Sequence, residues 1–245
     1  MNYKSHIHVL RVQMLSMSRV TQRALDSSIK GYELRNLEFC RDVSRAEGEI
    51  REHHRQIRYL AHKLAALGTG GGADSRFAVA ALRMGGTLAA IYEAAARMAR
   101  DTMLMVESDE PPTCDEPLIN LGKLVNTLVR LCVMALFEKE ARHAEMVARS
   151  QGVWRRCELI FEELNGSEGQ MHREDIYALR IAESLGVAAR RAHELADAIL
   201  FWLKARNSLA ALEEYGQNAL SSLRACRQMG GEEGQERQAV ACSPA

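Results

Sequence analysis

The chain contains two related alanine-rich segments, one in each half, and this internal repeat limits the folds that it can adopt. Residues 76–105 read RFAVAALRMGGTLAAIYEAAARMARDTMLM, and residues 173–202 read REDIYALRIAESLGVAARRAHELADAILFW. Aligned on the Ala-Leu-Arg that both contain, the segments are identical at seven positions and share one helical phase. A repeat of this length indicates two supersecondary units packed in series, because neither unit covers its apolar face alone.

Composition and proline placement both favour helices over strands. Aromatic residues make up 5% of the chain, whereas alanine, leucine and methionine are abundant. That bias is typical of helical proteins. Proline breaks helix interiors, and all four prolines lie outside the long apolar-patterned stretches: Pro111, Pro112, Pro117 and Pro244. We therefore expect an all-α protein built of two tandem three-helix bundle repeats.

The first half reads as three long antiparallel helices. Gly31 is a predicted turn after the first helix, and the second helix is predicted over 34–67, where the glycine run at 68–72 ends it. Asp74 or Ser75 is the predicted N-cap of a third helix that runs to Glu107. The apolar positions of the first two helices are Leu10, Met14, Met17, Leu25, Ile29, Ile50, Ile57, Leu60, Leu64 and Leu67.

The second half repeats this plan after an acidic, proline-rich linker. Its third helix is predicted over 172–206. The apolar positions of its first two helices are Leu121, Val125, Leu128, Cys132, Leu136, Val147, Trp154, Phe161 and Leu164. The predicted organisation is a repeat over 5–107, a linker over 108–117, a repeat over 118–206, and a short helix with a disordered tail over 207–245.

Charge and cysteine usage exclude several classes of protein. Lys plus Arg equals Asp plus Glu at 32 each, so the basic excess of nucleic-acid-binding proteins is missing. The six cysteines are scattered without a Cys-x-x-Cys pair, which favours a reduced compartment. The N-terminal sequence has no secretory signal pattern. The apolar patch at 128–137 is too short to span a bilayer. We expect a cytoplasmic protein with no membrane span and no nucleic-acid partner.

Two consecutive three-helix units, with a basic-apolar entry to each third helix, resemble the PhoU family of bacterial phosphate-uptake regulators. The resemblance covers Ser5 to Arg206. In that family each third helix carries a Glu-Arg-Ile-Gly-Asp type motif, and its two carboxylates, four residues apart, lie on one helix face. The resemblance therefore implies clusters of metal ions held by such oxygen ligands.

This sequence departs from the family motif at both of its copies. The matching positions read AAIYE at 89–93 and GVAAR at 186–190. Only Glu93 keeps a carboxylate, and Arg190 replaces one with a cation. Asp42 and Glu49 are further candidate ligands from the second-helix region. We expect that the scaffold is retained without the metal clusters, so that no cofactor is bound.

What the resemblance implies is a cytosolic homodimer that regulates phosphate uptake without catalysis. Its partners would be the nucleotide-binding subunit of the phosphate transporter and the phosphate-sensing histidine kinase, and it would damp the phosphate-starvation response. Arg190 and Arg191 are the candidate partner-binding residues. The sequence contains no paired acid and base, no nucleophile with a base, and no phosphate-cradling loop, so we predict that the protein is not an enzyme.

Two other functions and two weaker sites stay open at this point. The chain could be a helical scaffold that kept the fold but not the phosphate circuit, or a phosphotransfer module that uses His193. Adjacent His53 and His54 point about 100° apart on a helix, which predicts one at the core edge and one in solvent. Glu140-x-x-His143 matches half of a di-iron bundle signature, whose second half is missing.

Overall fold

The described part of the chain is helical in both repeats. The computed structural model describes residues 3–67, 73–108, 116–150, 152–153, 155–156, 159, 162 and 176–204. Every regular element in these ranges is an α-helix, which confirms the all-α prediction. The helices are α1 (Tyr3–Leu34), α2 (Leu37–Arg45), α3 (Glu47–Leu67), α4 (Ala73–Val106), α5 (Glu116–Glu138), α6 (Ala141–Arg149) and α7 (176–204).

Several predicted features lie outside the described residues. These are the glycine run at 68–72, most of the linker at 108–117, and the short helix and tail at 207–245. The same holds for part of the second apolar stripe of the second half, namely Trp154, Phe161 and Leu164.

In the first repeat, α1 and α4 run parallel to each other, and α3 connects them by running in the opposite direction. Nη2 of Arg11 lies 3.5 Å from Oδ1 of Asp74, and the Thr21 hydroxyl donates to the Leu88 carbonyl at 3.5 Å. The two helices therefore run in the same direction. Helix α3 packs against both. The predicted stripes are buried in this bundle except at Leu67, which is 45% exposed because α3 ends there.

The two repeats meet through their first and third helices. Helix α5 runs antiparallel to α1, since Nζ of Lys123 lies 2.6 Å from Oε1 of Glu33 and Nδ2 of Asn126 donates to Asp26 at 2.9 Å. Helix α7 runs antiparallel to α4, where the rings of Phe77 and Trp202 lie 4.8 Å apart between centroids. The helices of both repeats thus share one core.

Alanines let the third helices approach their neighbours closely. Four alanines that the two repeats share are at most 1% exposed, and their four-residue spacing places each pair on one helix face. They are Ala95, Ala99, Ala192 and Ala196. On α5 the Cys132 thiol lies 3.4 Å from the Ala192 carbonyl, a contact that a larger residue at 192 would disturb.

The prediction of a turn at Gly31 is wrong, because this glycine lies inside α1. A Cβ at Gly31 would lie 2.6 Å from Sγ of Cys40. The glycine therefore serves the close approach of α2. Helix α1 ends three residues later at Leu34, and the next residue, Arg35, adopts a φ of 50°. There the backbone N–H groups of Arg35 and Asn36 donate to the carbonyls of Tyr32 and Gly31, the pattern that closes many helix ends.

The predicted second helix over 34–67 is two helices, with a break at Ala46. The break is stabilised from α4, where the Tyr92 hydroxyl donates to the Val43 carbonyl at 2.9 Å. That carbonyl also accepts from the N–H of Ala46 at 3.2 Å, so the regular helical pattern stops there. No glycine or proline lies at Ala46 itself, and the nearby Gly48 lies inside the first turn of α3.

Two further boundaries differ from the prediction. Asp74 and Ser75 lie within the first turn of α4 instead of capping it. Helix α5, at 23 residues, is long and apolar enough to cross a membrane by length and composition alone, although the patch at 128–137 is not. Half of its apolar window is buried inside the bundle. A buried core helix has this same composition, and α5 contacts α1 and α6.

Candidate functional faces of the third helices

The two copies of the degenerate motif lie on the third helices, α4 and α7, and each presents one charged residue to solvent. Glu93 on α4 and Arg190 on α7 occupy equivalent positions, and both are exposed. Equivalent faces of the two repeats therefore carry opposite charge at this position. The residues between them in each motif, such as Ile91 and Ala188, are buried core positions.

Two arginines follow the single carboxylate of the motif on α4. Arg97 and Arg100 follow Glu93 by one and two helical turns, and both are exposed. A cation at this face would be repelled by these guanidinium groups, while the motif itself offers only one carboxylate to attract it. This charge arrangement is the physical reason for expecting no multinuclear metal cluster here.

The acids of the second-helix region divide into two groups. Asp42 is exposed and bonded to Arg45 at 2.7 Å, and Glu49 lies 3.6 Å from Nε2 of His53. Glu47 instead lies near Tyr92, whose pKa is also affected by Glu93. Burial raises the pKa of Tyr92, and the negative charges of Glu47 and Glu93 raise this pKa further. Glu47 is thus the acid that shares the surroundings of Tyr92 with Glu93.

On α7 the two candidate arginines have different surroundings. Arg190 is exposed and forms no ion pair within the described residues. Arg191 is half-exposed, and its Nη1 lies 2.6 Å from Oε2 of Glu194, one turn along the same helix. Of the two, Arg190 has the freer charge for a partner.

The placement of His193 weighs against phosphotransfer. Its Nδ1 lies 2.9 Å from the Ala189 carbonyl. Its Nε2 is buried and has no hydrogen-bond partner within the described part of the chain. A phosphoryl donor must reach a free ring nitrogen, and neither nitrogen of this imidazole is both free and accessible.

The histidine pair on α3 differs from its prediction, because neither residue is fully exposed. His53 and His54 are both partly buried. Nδ1 of His53 lies 2.6 Å from Oε1 of Gln13 on α1. Burial lowers the pKa of His54, and the positive charge of Arg58 lowers it further. Packing of α3 between α1 and α4 covers more of its surface than one apolar stripe predicts.

An ion pair with one buried partner, which the sequence did not reveal, joins the two third helices. The carboxylate of Asp101 on α4 is 4% exposed and lies 2.8 Å from Nη2 of Arg180 on α7. Burial raises the pKa of Asp101, whereas the charge of Arg180 opposes this shift. The only sequence signal was the Ala-Leu-Arg shared by both repeats, in which Arg180 is the arginine.

Comparison with known proteins identifies the architecture. Residues 14–102 match the family model described as the PhoU domain. Most of the first repeat is therefore similar to the PhoU domain. This match confirms the resemblance predicted from the helix plan. The matched residues run from α1 into the last turn of α4.

The PhoU fold extends beyond the matched domain. The crystal structure of PhoU from Pseudomonas aeruginosa aligns with a TM-score of 0.77 at 16% identity, over 83% of this chain and 99% of that one. The phosphate transport system regulatory protein PhoU from Streptococcus pneumoniae aligns at 0.72 and 16% identity, over 82% and 96%. No curated protein matches the sequence. The second repeat therefore shares the PhoU fold although the family model does not reach it.

Proposed function

We propose that this protein is a non-enzymatic, cytoplasmic regulator of phosphate uptake and phosphate-starvation signalling that acts by contact with other proteins. The observation that carries the proposal is the PhoU domain at 14–102, set in a fold that aligns with nearly the whole length of PhoU structures. The proposed partners are the nucleotide-binding subunit of the phosphate transporter and the phosphate sensor histidine kinase. The proposed assembly is a homodimer.

The exposed side of α7 is the proposed contact surface. Arg190 offers a charge with no ion pair among the described residues, and Arg191 adds a second cation that is shared with Glu194. Complementary charge across an interface speeds association and selects the partner. An acidic surface on the transporter subunit or the kinase would fit this side of the helix.

A charge-reversal pair tests the surface. Purified Arg190→Glu should bind each partner more weakly than wild type, while Arg58→Glu on the exposed side of α3 should bind as wild type does. Binding to the isolated transporter subunit and to the kinase is measured by surface plasmon resonance at low and high salt. Equal affinities for both variants would refute α7 as the contact surface.

A deletion strain tests the function itself. Loss of the gene should raise expression of phosphate-starvation genes in phosphate-rich medium, and wild-type protein should restore repression. A scaffold outside this circuit is the second candidate, and the loss of the family acids at 89–93 and 186–190 favours it. An unchanged phosphate response, together with no binding to either partner, would select the scaffold.

A further inference from the structure

The junction between α5 and α6 gathers three possible metal ligands at one point. Helix α5 ends at Glu138, Lys139 adopts a φ of 57°, and the chain is extended at Glu140 before α6 begins. This sharp reversal brings the two carboxylates beside His143 in the first turn of α6. One ligand atom from each of Glu138, Glu140 and His143 lies within 4.8 Å of the others.

His143 supplies the observation that points to a ligand. The residue is 6% exposed, yet its Nδ1 has no partner in hydrogen-bond geometry within the described residues. Oε2 of Glu138 lies 3.2 Å from this nitrogen, but the two groups are not aligned for a hydrogen bond. Leaving a buried polar group without a hydrogen-bond partner is destabilising. A ligand bound at this nitrogen would remove that destabilisation.

Within the described residues, neither carboxylate is bonded to a group outside this set of three ligands. Glu140 is the N-cap residue of α6, but its side chain makes no capping hydrogen bond. The side chain of Glu138 is 44% exposed. Ligand atoms around a tetrahedral zinc ion lie about 3.4 Å apart. Rotation of these two exposed side chains therefore closes the remaining distance without moving the buried imidazole.

We propose that Glu138, Glu140 and His143 form a mononuclear site for a divalent transition metal, with Zn²⁺ as the best fit. One imidazole and two carboxylates leave a position for water or a further ligand, as in three-residue zinc sites. Imidazole suits Zn²⁺, whereas Mg²⁺ and Ca²⁺ favour oxygen ligands alone. Lys139 and Arg142 bring the formal charge of 138–143 to zero, so coordination rather than bulk charge selects the ion.

This site differs in kind from the di-iron signature considered from the sequence. A di-iron bundle needs two Glu-x-x-His pairs and two more glutamates, and the chain supplies half of that set. A mononuclear site needs only the three ligands present. It also lies at the α5–α6 junction and uses no residue of the degenerate motifs on α4 and α7. The expectation that those motifs bind no metal is unaffected, whereas the broader expectation that the chain binds no cofactor is replaced by this proposal.

Zinc titration of the full chain tests the proposal. Chelator-treated protein should bind one Zn²⁺ by isothermal titration calorimetry and melt at a higher temperature when loaded. Glu138→Gln and Glu140→Gln should each weaken Zn²⁺ binding at least tenfold. Both residues are exposed, so the apo variants should fold as wild type does. Glu93→Gln, on the exposed side of α4, is the matched control and should bind as wild type.

Three outcomes would overturn the proposal. One is the absence of stoichiometric Zn²⁺ binding, which would leave the cluster as an ion pair between His143 and Glu138. Another is unchanged binding in the Glu138→Gln/Glu140→Gln double variant, which would place the ion elsewhere. The third is equal affinity for Mg²⁺, which would exclude coordination by imidazole. Substitution with Co²⁺ gives a further readout, because its visible absorption reports a nitrogen and oxygen ligand set that the double variant should lose.

Discussion

The first two helices of each repeat meet at junctions with one backbone design and different side chains. Arg35 and Lys139 hold φ values of 50° and 57°, and a nine-residue helix follows each of them. Asn36 caps α2 by accepting from the N–H of Glu38 at 2.9 Å, whereas Glu140 makes no such bond. The two junctions thus have the same backbone conformation. In the second junction the side chain at the capping position makes no cap and is available for another interaction.

Packing beneath the two junctions shows the same freedom. The first junction places Gly31 against Cys40. Counting from the two left-handed residues, the equivalent positions in the second junction hold Ala135 and Ala144, and both are fully buried. In the first junction a glycine lies opposite the larger Cys40 side chain of α2. In the second junction each of the two helices contributes an alanine. Equivalent backbones can therefore be filled in more than one way.

The largest effect is expected from enlarging the alanines of the third helices. Ala95→Leu and Ala192→Leu should each lower the free energy of unfolding by about 1–3 kcal/mol or more, because both sites are closely packed. Ala→Ser at the same positions should cost much less. Urea denaturation followed by circular dichroism measures the difference. If both leucine variants are as stable as wild type, the alanine faces of the two third helices are not closely packed.

A coupled pair of substitutions at the first junction sharpens the comparison of packing. Gly31→Ala should cost about 1–3 kcal/mol, since the new Cβ would approach Sγ of Cys40. Adding Cys40→Ala recreates the Ala-Ala arrangement of the second junction and should recover much of that loss. A double-mutant cycle measures the coupling, which is expected to exceed 0.5 kcal/mol. Simple additivity of the two changes would show that the junctions are not packed alike.

Exchanging the capping residues separates the two junctions by function. Asn36→Ala should cost about 1 kcal/mol through loss of its cap, while Glu140→Ala should cost little in metal-free protein. Glu140→Asn should instead stabilise the metal-free chain by up to about 1 kcal/mol, because asparagine caps well, and should weaken Zn²⁺ binding. Denaturation with and without Zn²⁺ measures both effects. A costly Glu140→Ala in metal-free protein would contradict the uncapped junction.

The smallest expected effect concerns the ion pair of Asp101 and Arg180 between the repeats. Burial raises the pKa of Asp101, so the folded state holds this proton more tightly than the unfolded chain does. The stabilisation is complete below the unfolded pKa and is lost as the pH rises through the folded pKa. The stability of wild type relative to Asp101→Asn should therefore increase as the pH falls from neutral to about 4. Melting temperatures of both proteins across this range measure the trend, and a decrease would contradict it.

The helix plan was predictable because it rests on local patterns, and the junctions were not. Apolar positions such as Leu10 and Val125 recur with helical spacing, so their burial follows from the sequence. The left-handed residues Arg35 and Lys139 carry no such signal, since glycine is the usual residue there. Gly31 has the opposite problem. Glycine in a sequence usually indicates a turn, but here it permits the close packing of Cys40 inside a helix.

The candidate sites likewise divide into those that a local sequence pattern predicts and those that it does not. Exposure of Glu93 and Arg190 followed from helical phase. The ligand set of Glu138, Glu140 and His143 did not, because its spacing fits no single helix and depends on the reversal at Lys139. The pair of Asp101 and Arg180 lies on helices from different repeats, and no local pattern links them.

The contact between Phe77 and Trp202 affects how the protein is made. Phe77 is 2% exposed in the finished fold, and one of its neighbours is close to the end of the second repeat. Ile29 likewise packs against Gly122 of α5. A ribosome synthesises the first repeat well before these partners emerge. During that interval the nascent first repeat presents an apolar side to the cell, and the second repeat completes its burial.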